Sequence, residues 1–295
     1  MPEAPAIPET IRQRLVRYQR DELTDLVVYG RLARSEKNQT NRAVLERIAS
    51  DEREHAAVWK RYTGEDAAPN RWRALFFTLV GYILGYTFVI KLMERGETLT
   101  AKEYAALADY IPEARGIMEQ EEQHEERLHS LLDEERLHYV GAMVLGLNDA
   151  LVELTGTIAG LTLALQDNRL VALAGIVTGV SATLSMAASN YLAERADGKD
   201  DAIKSSVYTG VAYLLTVVVL VLPYLLLPDT MYWGALAMML VAVILIIFFF
   251  NFYVSVAKDQ PFWSRFVEMA CISLGVAVIS FIIGLAAKYF LQVDI

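Results

Sequence analysis

Residues 144–165 have the sequence VLGLNDALVELTGTIAGLTLAL. The stretch is as long as the roughly 20 helical residues that cross a hydrocarbon core. It is uncharged apart from two carboxylates, Asp149 and Glu153. Ionisable groups inside a membrane span cost free energy and mark functional sites by default. The stretch therefore predicts a membrane-spanning helix that carries an acidic functional site.

Four further apolar runs follow this one along the chain. Backbone polar groups inside lipid must be hydrogen-bonded within the segment, so we expect helices. Connections as short as residues 228–230 leave little room for the surface of a soluble protein. The sequence therefore predicts a five-helix membrane domain at 137–295. Its predicted spans are 139–165, 170–193, 206–227, 231–257 and 262–291.

The charged residues are concentrated before the first span. Residues 1–139 hold 45 of the 63 acidic and basic residues of this 295-residue chain, and all four histidines. The formal net charge of -9 argues against non-specific nucleic-acid binding, which needs a basic surface. The single cysteine, Cys271, excludes a disulfide framework and a thiolate metal cage within the chain. We therefore expect a charged N-terminal domain at 1–136.

The loops predict an orientation in the membrane. Loops 194–205 and 258–265 carry five Lys and Arg residues, whereas the opposite side carries two. Cytoplasmic loops are enriched in these residues. Residues 1–30 are charged and lack the apolar segment of a signal peptide. We expect a multi-pass protein of the cell membrane, with a cytoplasmic N-terminal domain and its C-terminus outside.

The first two spans offer ligands for a divalent cation. Asp149 and Glu153 are four residues apart and share one face of a helix. With Asn148 they supply hard oxygen ligands, and the second span adds Met186 and Asn190, one turn apart. A thioether beside carboxylates suits Fe(II) better than Mg or Ca. An ordinary packing role is an equally good interpretation of Met186.

Four helices are predicted before the membrane, at about 8–36, 39–62, 71–95 and 112–136, with a short helix possible at 100–109. Four helices in this length suggest a bundle, so the fold class is all-α throughout. Residues 74–90 are uncharged and offer an alternative sixth span. Because a crossing there would separate the motifs of the second and fourth helices, we favour a helix buried by its own bundle and a second subunit.

The second and fourth helices each carry a Glu-x-x-His motif, which projects a carboxylate and an imidazole from one face. The first and third helices carry acidic residues at otherwise apolar-facing positions. Such a set is typical of carboxylate-bridged di-iron centres in four-helix bundles. Solvated helix faces with coincidental spacing are the alternative. The predicted ligands are Glu22, Glu52, His55, Glu94, Glu97, Glu121 and His124.

Both halves resemble known iron proteins. Residues 8–136 resemble the ferritin-like, rubrerythrin-type fold. Residues 139–292 resemble the vacuolar iron transporter family, most clearly in VLGLNDALVELTGTIAGLTLAL and SMAASNYLAERAD. The pairing is similar to rubrerythrin–iron transporter fusions, also called membrane-bound ferritins. The resemblance implies that Asp149 and Met186 line an ion path, and that Glu97 is an additional or exchanging iron ligand.

The chain departs from both families. A single cysteine leaves no rubredoxin module, and the connection ERADGKDDAIK replaces the helical domain that often follows the second span in vacuolar iron transporters. We expect a homodimeric exporter of Fe(II), with proton antiport implied by the resemblance alone. Three alternatives stay open, namely a Mn(II) or broad divalent-cation exporter, a membrane-anchored di-iron oxidase or peroxidase, and a structural adaptor.

Overall fold

The computed structural model describes residues 7–97, 103, 107, 108, 110–131 and 139–291, and for 94–97, 125–131, 287, 288 and 291 it describes the backbone only. The chain divides into two compact units, Met1–Glu135 and Arg136–Ile295. All regular secondary structure within the described residues is helical, which confirms the predicted all-α class. Most of the short helix predicted at 100–109 lies outside the described residues.

The described residues of the N-terminal unit form two long helices and three shorter ones. The second begins where the side chain of Asn38 accepts hydrogen bonds from two backbone N–H groups, and it ends at Gly64, whose φ of 68° suits glycine. These local signals explain why the second predicted helix has nearly the observed bounds. The helices are α1 Glu9–Ser35, α2 Gln39–Thr63, α3 Arg71–Leu84, α4 Tyr86–Glu97 and α5 Ala114–Leu131.

The single helix predicted at 71–95 is divided at Gly85. Its φ of 101° and ψ of 151° are accessible to glycine but strained for other residues, and they end α3 before α4 begins. This division could not be predicted, because Gly85 lies within the uncharged run of residues 74–90. Fourteen residues of α3 are too few to span a bilayer.

One face of α3 is covered and the other is exposed. Ala74 and Thr78 are buried. On the exposed side, Trp72, Phe76 and Ile83 are 82%, 58% and 71% exposed. Within a single chain, only one face of this helix is therefore buried, whereas the sequence predicted a helix buried on most sides.

Residues 139–291, the described part of the second unit, contain five helical segments that are long and apolar enough to cross a membrane. This agrees with the predicted number of spans. The first span, Val140–Leu165, is not uniform, because a π-helical turn at Ala150–Leu154 joins its two α-helical parts. The helices are α6 Val140–Asp149, α7 Thr155–Leu165, α8 Asn168–Ala196, α9 Ala202–Leu226, α10 Tyr232–Lys258 and α11 Phe262–Leu291.

Close backbone contacts hold this unit together. A Cβ atom on Gly146 would collide with the backbone oxygen of Thr209, so glycine is what lets α6 and α9 approach. The same holds for Gly284 of α11, which lies against the backbone of Gly160 in α7. Small residues at such positions are typical of helix packing in membranes. The contacts fix the first span against α9 and α11, which positions its acidic residues.

Candidate metal sites

A cluster of carboxylates and imidazole lies inside the N-terminal unit. Glu22 of α1, Glu52 and His55 of α2, and Glu121 of α5 each offer one ligand atom, and these four atoms lie within 4.8 Å of one another. Glu52 and His55 are buried. The cluster therefore brings together four of the seven predicted ligands.

His55 presents one ring nitrogen to the carboxylates. Its Nδ1 lies 2.9 Å from Oε1 of Glu121 and 3.7 Å from Oε2 of Glu52. Its Nε2 is held on the opposite side, where it donates to Oε1 of Gln120 at 2.9 Å. A hydrogen bond at one ring nitrogen orients the other toward a metal, as in many histidine ligands.

His124 lies beside this cluster, and its ring is stacked on His55 with centroids 6.0 Å apart. Its Nε2 is 2.7 Å from Oδ2 of Asp51, and its Nδ1 is 3.7 Å from Oε2 of Glu121. The two Nδ1 atoms are buried and have no hydrogen bond of good geometry within the described part of the chain. Buried nitrogens left in this way fit the role of metal ligands.

Glu22 is held by an aromatic neighbour. The indole Nε1 of Trp59, a fully buried side chain, donates to Oε1 of Glu22 at 3.0 Å. Burial, and then the charge of Glu52, raise the pKa of Glu22 well above its ordinary value. A cation would relieve this repulsion, because a positive charge favours the ionised carboxylate.

The imidazoles compensate for the negative charge in the cluster. Burial disfavours a charge on His55, but the close contact with Glu121 and the charge of Glu22 outweigh it and raise the pKa of His55 to about 9. Burial likewise opposes the charge on Glu121, yet contacts with His124 and His55 lower its pKa to about 2. Contacts with Glu121 and Asp51 raise the pKa of His124 against the effect of burial. A bound metal would displace these protons.

The other two predicted ligands, Glu94 and Glu97, belong to the end of α4, but their side chains lie outside the described ones. Sequence reasoning missed Asp51, Gln120 and Trp59. Asp51 and Gln120 are sequence neighbours of predicted ligands, and only the packing of α2 against α5 shows that each orients a histidine of the other helix.

A second candidate site lies in the membrane-spanning unit. It is a cavity of about 160 Å³ between the first two spans. Glu153 is exposed, Asp149 and Met186 are partly buried, and Met186 also packs against the apolar core of this unit. The lining residues are Asp149, Glu153, Ala182, Ser185, Met186 and Ser189.

Residues 140–199 match the model of the VIT family, the vacuolar iron transporter family. The match covers the first two spans and includes every residue that lines the cavity. No curated protein and no solved structure matches the chain.

The VIT match and the five apolar helices indicate a multi-pass integral membrane protein. Three of the five predicted path residues line the cavity of the VIT-type region. The other two do not. Asn190 is buried and donates to Oγ of Ser205 at 2.9 Å, while Oδ1 of Asn148 is buried without a hydrogen bond in the described part of the chain.

Sequence reasoning missed the two serines of the cavity, Ser185 and Ser189, and it missed Tyr213. The hydroxyl of Tyr213 in α9 donates to Oε2 of Glu153 at 3.2 Å. Ser185 and Ser189 lie one turn apart in α8, and that spacing could have indicated a shared polar face with Met186. The pairing of Tyr213 with Glu153 joins two helices and has no local sequence signal.

Proposed function

We propose that this protein exports Fe(II) from the cytoplasm across the cell membrane, in exchange for protons. The observation that carries the proposal is the cavity, in which two carboxylates and a thioether meet within the stretch that matches the VIT family. Carboxylate and thioether ligands together suit Fe(II). Mn(II) is the second candidate cargo, because such ligands discriminate poorly between the two ions.

Direction and coupling have separate support. The excess of Lys and Arg in loops 194–205 and 258–265 favours a cytoplasmic location for these loops, and with them the N-terminal unit. Metal binding to carboxylates competes with protons. Asp149 and Glu153 therefore offer a physical means to exchange a metal ion for protons across the membrane.

For the N-terminal unit we propose a ferritin-like di-iron domain that binds, senses or oxidises iron before export. Its buried cluster fits such a centre, and so do the buried Nδ1 atoms of His55 and His124, which both face the carboxylate of Glu121. Glu22, Glu52, His55, Glu121 and His124 would hold the metal, and bound iron would supply redox chemistry there. Asp51, Gln120 and Trp59 orient these ligands, and burial keeps bulk water away from them.

A homodimer is part of the proposal. Glu153 is exposed in a single chain although it belongs to a membrane-spanning segment. A carboxylate that faces lipid is costly, and a second copy of the chain would cover it. The exposed apolar face of α3, with Trp72 and Phe76, is a further candidate contact between copies.

The buried Glu–His cluster also favours a second candidate function, a membrane-anchored di-iron oxidase or peroxidase without transport. In that case the five spans act only as an anchor. The two candidates differ in what the membrane cavity does, so a change confined to the cavity separates them.

The test measures Fe(II) and Mn(II) flux in proteoliposomes at set pH gradients, for wild type, Asp149→Ala and Asp229→Ala. Asp229 pairs with Arg169 at 3.3 Å and does not line the cavity, so it serves as the matched control. We expect wild type and Asp229→Ala to carry metal against a proton gradient. Asp149→Ala should lose flux while its N-terminal cluster still binds metal.

If wild type carried neither Fe(II) nor Mn(II), transport would be refuted. Full flux by Asp149→Ala would remove the cavity from the mechanism. A flux that did not depend on the pH gradient would be consistent with transport but would exclude proton exchange.

A further inference from the structure

We propose that Tyr213 is a positioning residue for cation binding in the membrane cavity, where its hydroxyl fixes Glu153 as a ligand that offers one oxygen. The inference rests on the proposed transport function and adds a residue of α9 to a site formed by the first two spans. Tyr213 does not line the cavity itself and lies outside residues 140–199.

Tyr213 is held rigidly behind the cavity. Its side chain is fully buried and belongs to the apolar core of the membrane unit, among residues such as Leu151 and Val217. A buried tyrosine hydroxyl needs a hydrogen-bond partner, and here the partner is Oε2 of Glu153 at 3.2 Å. A fixed donor therefore holds one oxygen of an otherwise exposed carboxylate.

The two acidic residues of the cavity differ in this respect. Within the described part of the chain, Asp149 has no hydrogen bond or ion pair, whereas Glu153 is bonded to Tyr213. The bond fixes the position of Oε2, and Oε1 of Glu153 accepts no hydrogen bond within the described part of the chain, so Oε1 is the oxygen most available to a cation. Asp149 is free to reorient as an ion arrives and leaves, and Glu153 provides the fixed reference point.

The π-helical turn at Ala150–Leu154 begins directly after Asp149 and includes Glu153. Such turns often occur at functional sites, and they alter the direction in which a side chain leaves its helix. A side chain on this irregular turn gains from an external anchor. The hydroxyl of Tyr213 supplies that anchor from a regular helix, α9.

Holding a ligand in place strengthens metal binding, because the ordering of the side chain no longer opposes it. Removing a hydrogen bond that orients a metal ligand lowers affinity about ten-fold or more. Loss of the Tyr213 hydroxyl should raise the metal concentration at half-maximal flux and leave the maximal flux largely unchanged.

The same helix provides a matched control. Tyr224 is also buried in α9, but its hydroxyl pairs with Oγ1 of Thr162 at 2.7 Å, away from the cavity. Tyr213→Phe and Tyr224→Phe each remove one buried hydroxyl from one helix. A general weakening of the fold would affect both variants, whereas loss of ligand positioning affects only the first.

The experiment measures Mn(II) flux into proteoliposomes as a function of Mn(II) concentration for wild type and both variants. We expect the half-saturating Mn(II) concentration of Tyr213→Phe to be about ten-fold higher than that of wild type. The maximal flux of Tyr213→Phe should equal that of Tyr224→Phe. An equal half-saturating concentration in the two variants would overturn the proposal. A fall in maximal flux alone would do the same.

Mn(II) binding provides an independent measurement if Tyr213→Phe, or even wild type, carries no flux. Full-length protein with Glu52→Ala and Glu121→Ala confines binding to the cavity, and calorimetry then compares the two tyrosine variants. Weaker binding by Tyr213→Phe alone supports the proposal, and equal binding refutes it. Absence of wild-type flux would refute transport, while this measurement would still decide the role of Tyr213.

Discussion

The two candidate metal sites are both acidic, but their surroundings differ. In the N-terminal unit, Glu52 is 5% exposed and His55 is 1% exposed, and neighbouring side chains hold both imidazoles from behind. In the membrane unit, Glu153 is exposed and Asp149 is partly buried. Glu153 accepts one hydrogen bond, from the hydroxyl of Tyr213. The first site contains imidazoles, and the second offers a thioether instead.

This difference indicates how tightly each site binds a cation and how readily it releases it. Ligands that are buried and already oriented bind tightly, because little ordering opposes binding. An open site with a free carboxylate exchanges its ion more readily. The N-terminal cluster is therefore suited to holding a metal, and the membrane cavity to passing it on.

The largest expected effect concerns the cluster. Glu52→Ala combined with Glu121→Ala removes two of its four converging ligands. Since even a change in a supporting residue costs about 10- to 100-fold in metal affinity, we expect Mn(II) binding by the N-terminal unit to fall by more than about 100-fold. Calorimetry on full-length protein carrying Asp149→Ala measures this site alone.

The control is Glu54→Ala with Glu122→Ala, which removes two exposed carboxylates from the same helices, α2 and α5. It leaves the converging ligands in place, so its affinity should stay near that of the parent protein. Equal losses in both double variants would mean that general negative charge, rather than the buried geometry, attracts the metal.

The next effect concerns the backbone contacts of the membrane unit. In Gly146→Ala the new methyl group would meet the backbone oxygen of Thr209 and push α6 from α9. Overpacking of this kind costs about 1–3 kcal/mol, so we expect a lower melting temperature. Flux should fall as well, because the helix that carries Asp149 is displaced. Thermal unfolding in detergent and flux in proteoliposomes measure the two effects.

Gly141→Ala in the same helix separates packing from helix propensity. A Cβ atom on Gly141 would meet nothing within 4 Å, and both substitutions gain the same intrinsic preference for helix. We expect Gly141→Ala to be neutral or slightly stabilising. Comparable destabilisation by both variants would show that the close approach at Gly146 does not fix the cavity.

The sequence predicted those features that leave a local or periodic signal. Five apolar runs gave the number of spans, and the i, i+3 spacing of Glu52 and His55 placed both on one face of α2. The division at Gly85 has no such signal, because glycine within an apolar run also occurs in continuous membrane helices.

The residues that orient the ligands also could not be predicted from the sequence. Asp51 is adjacent to Glu52, and a helix places adjacent residues about 100° apart, so the Glu-x-x-His spacing does not put Asp51 on the ligand face. It contacts His124, which is 73 residues away. The pairing of Tyr213 with Glu153 spans 60 residues. Such partners depend on which helices pack together, and the periodicity of one helix does not contain that information.

The last expected effect is a difference in pH dependence between the two sites, which changes affinity gradually rather than removing a ligand. The raised pKa of His55, about 9 against an ordinary 6.5, means that its proton stabilises the metal-free fold. This contribution is complete below pH 6.5 and is lost as the pH rises through 9. A metal must displace that proton, so affinity for the cluster should rise with pH up to about 9, by about ten-fold per pH unit for each proton released.

The membrane cavity is lined by no imidazole among the described residues, so its affinity should change much less between pH 7 and 9. Calorimetry in buffers of different ionisation heats counts the protons released when Mn(II) binds. Asp149→Ala isolates the cluster for this measurement, and the Glu52→Ala, Glu121→Ala variant isolates the cavity. If the cluster released no more protons than the cavity at pH 7, His55 would not be a ligand, and the chemical contrast between the two sites would be lost.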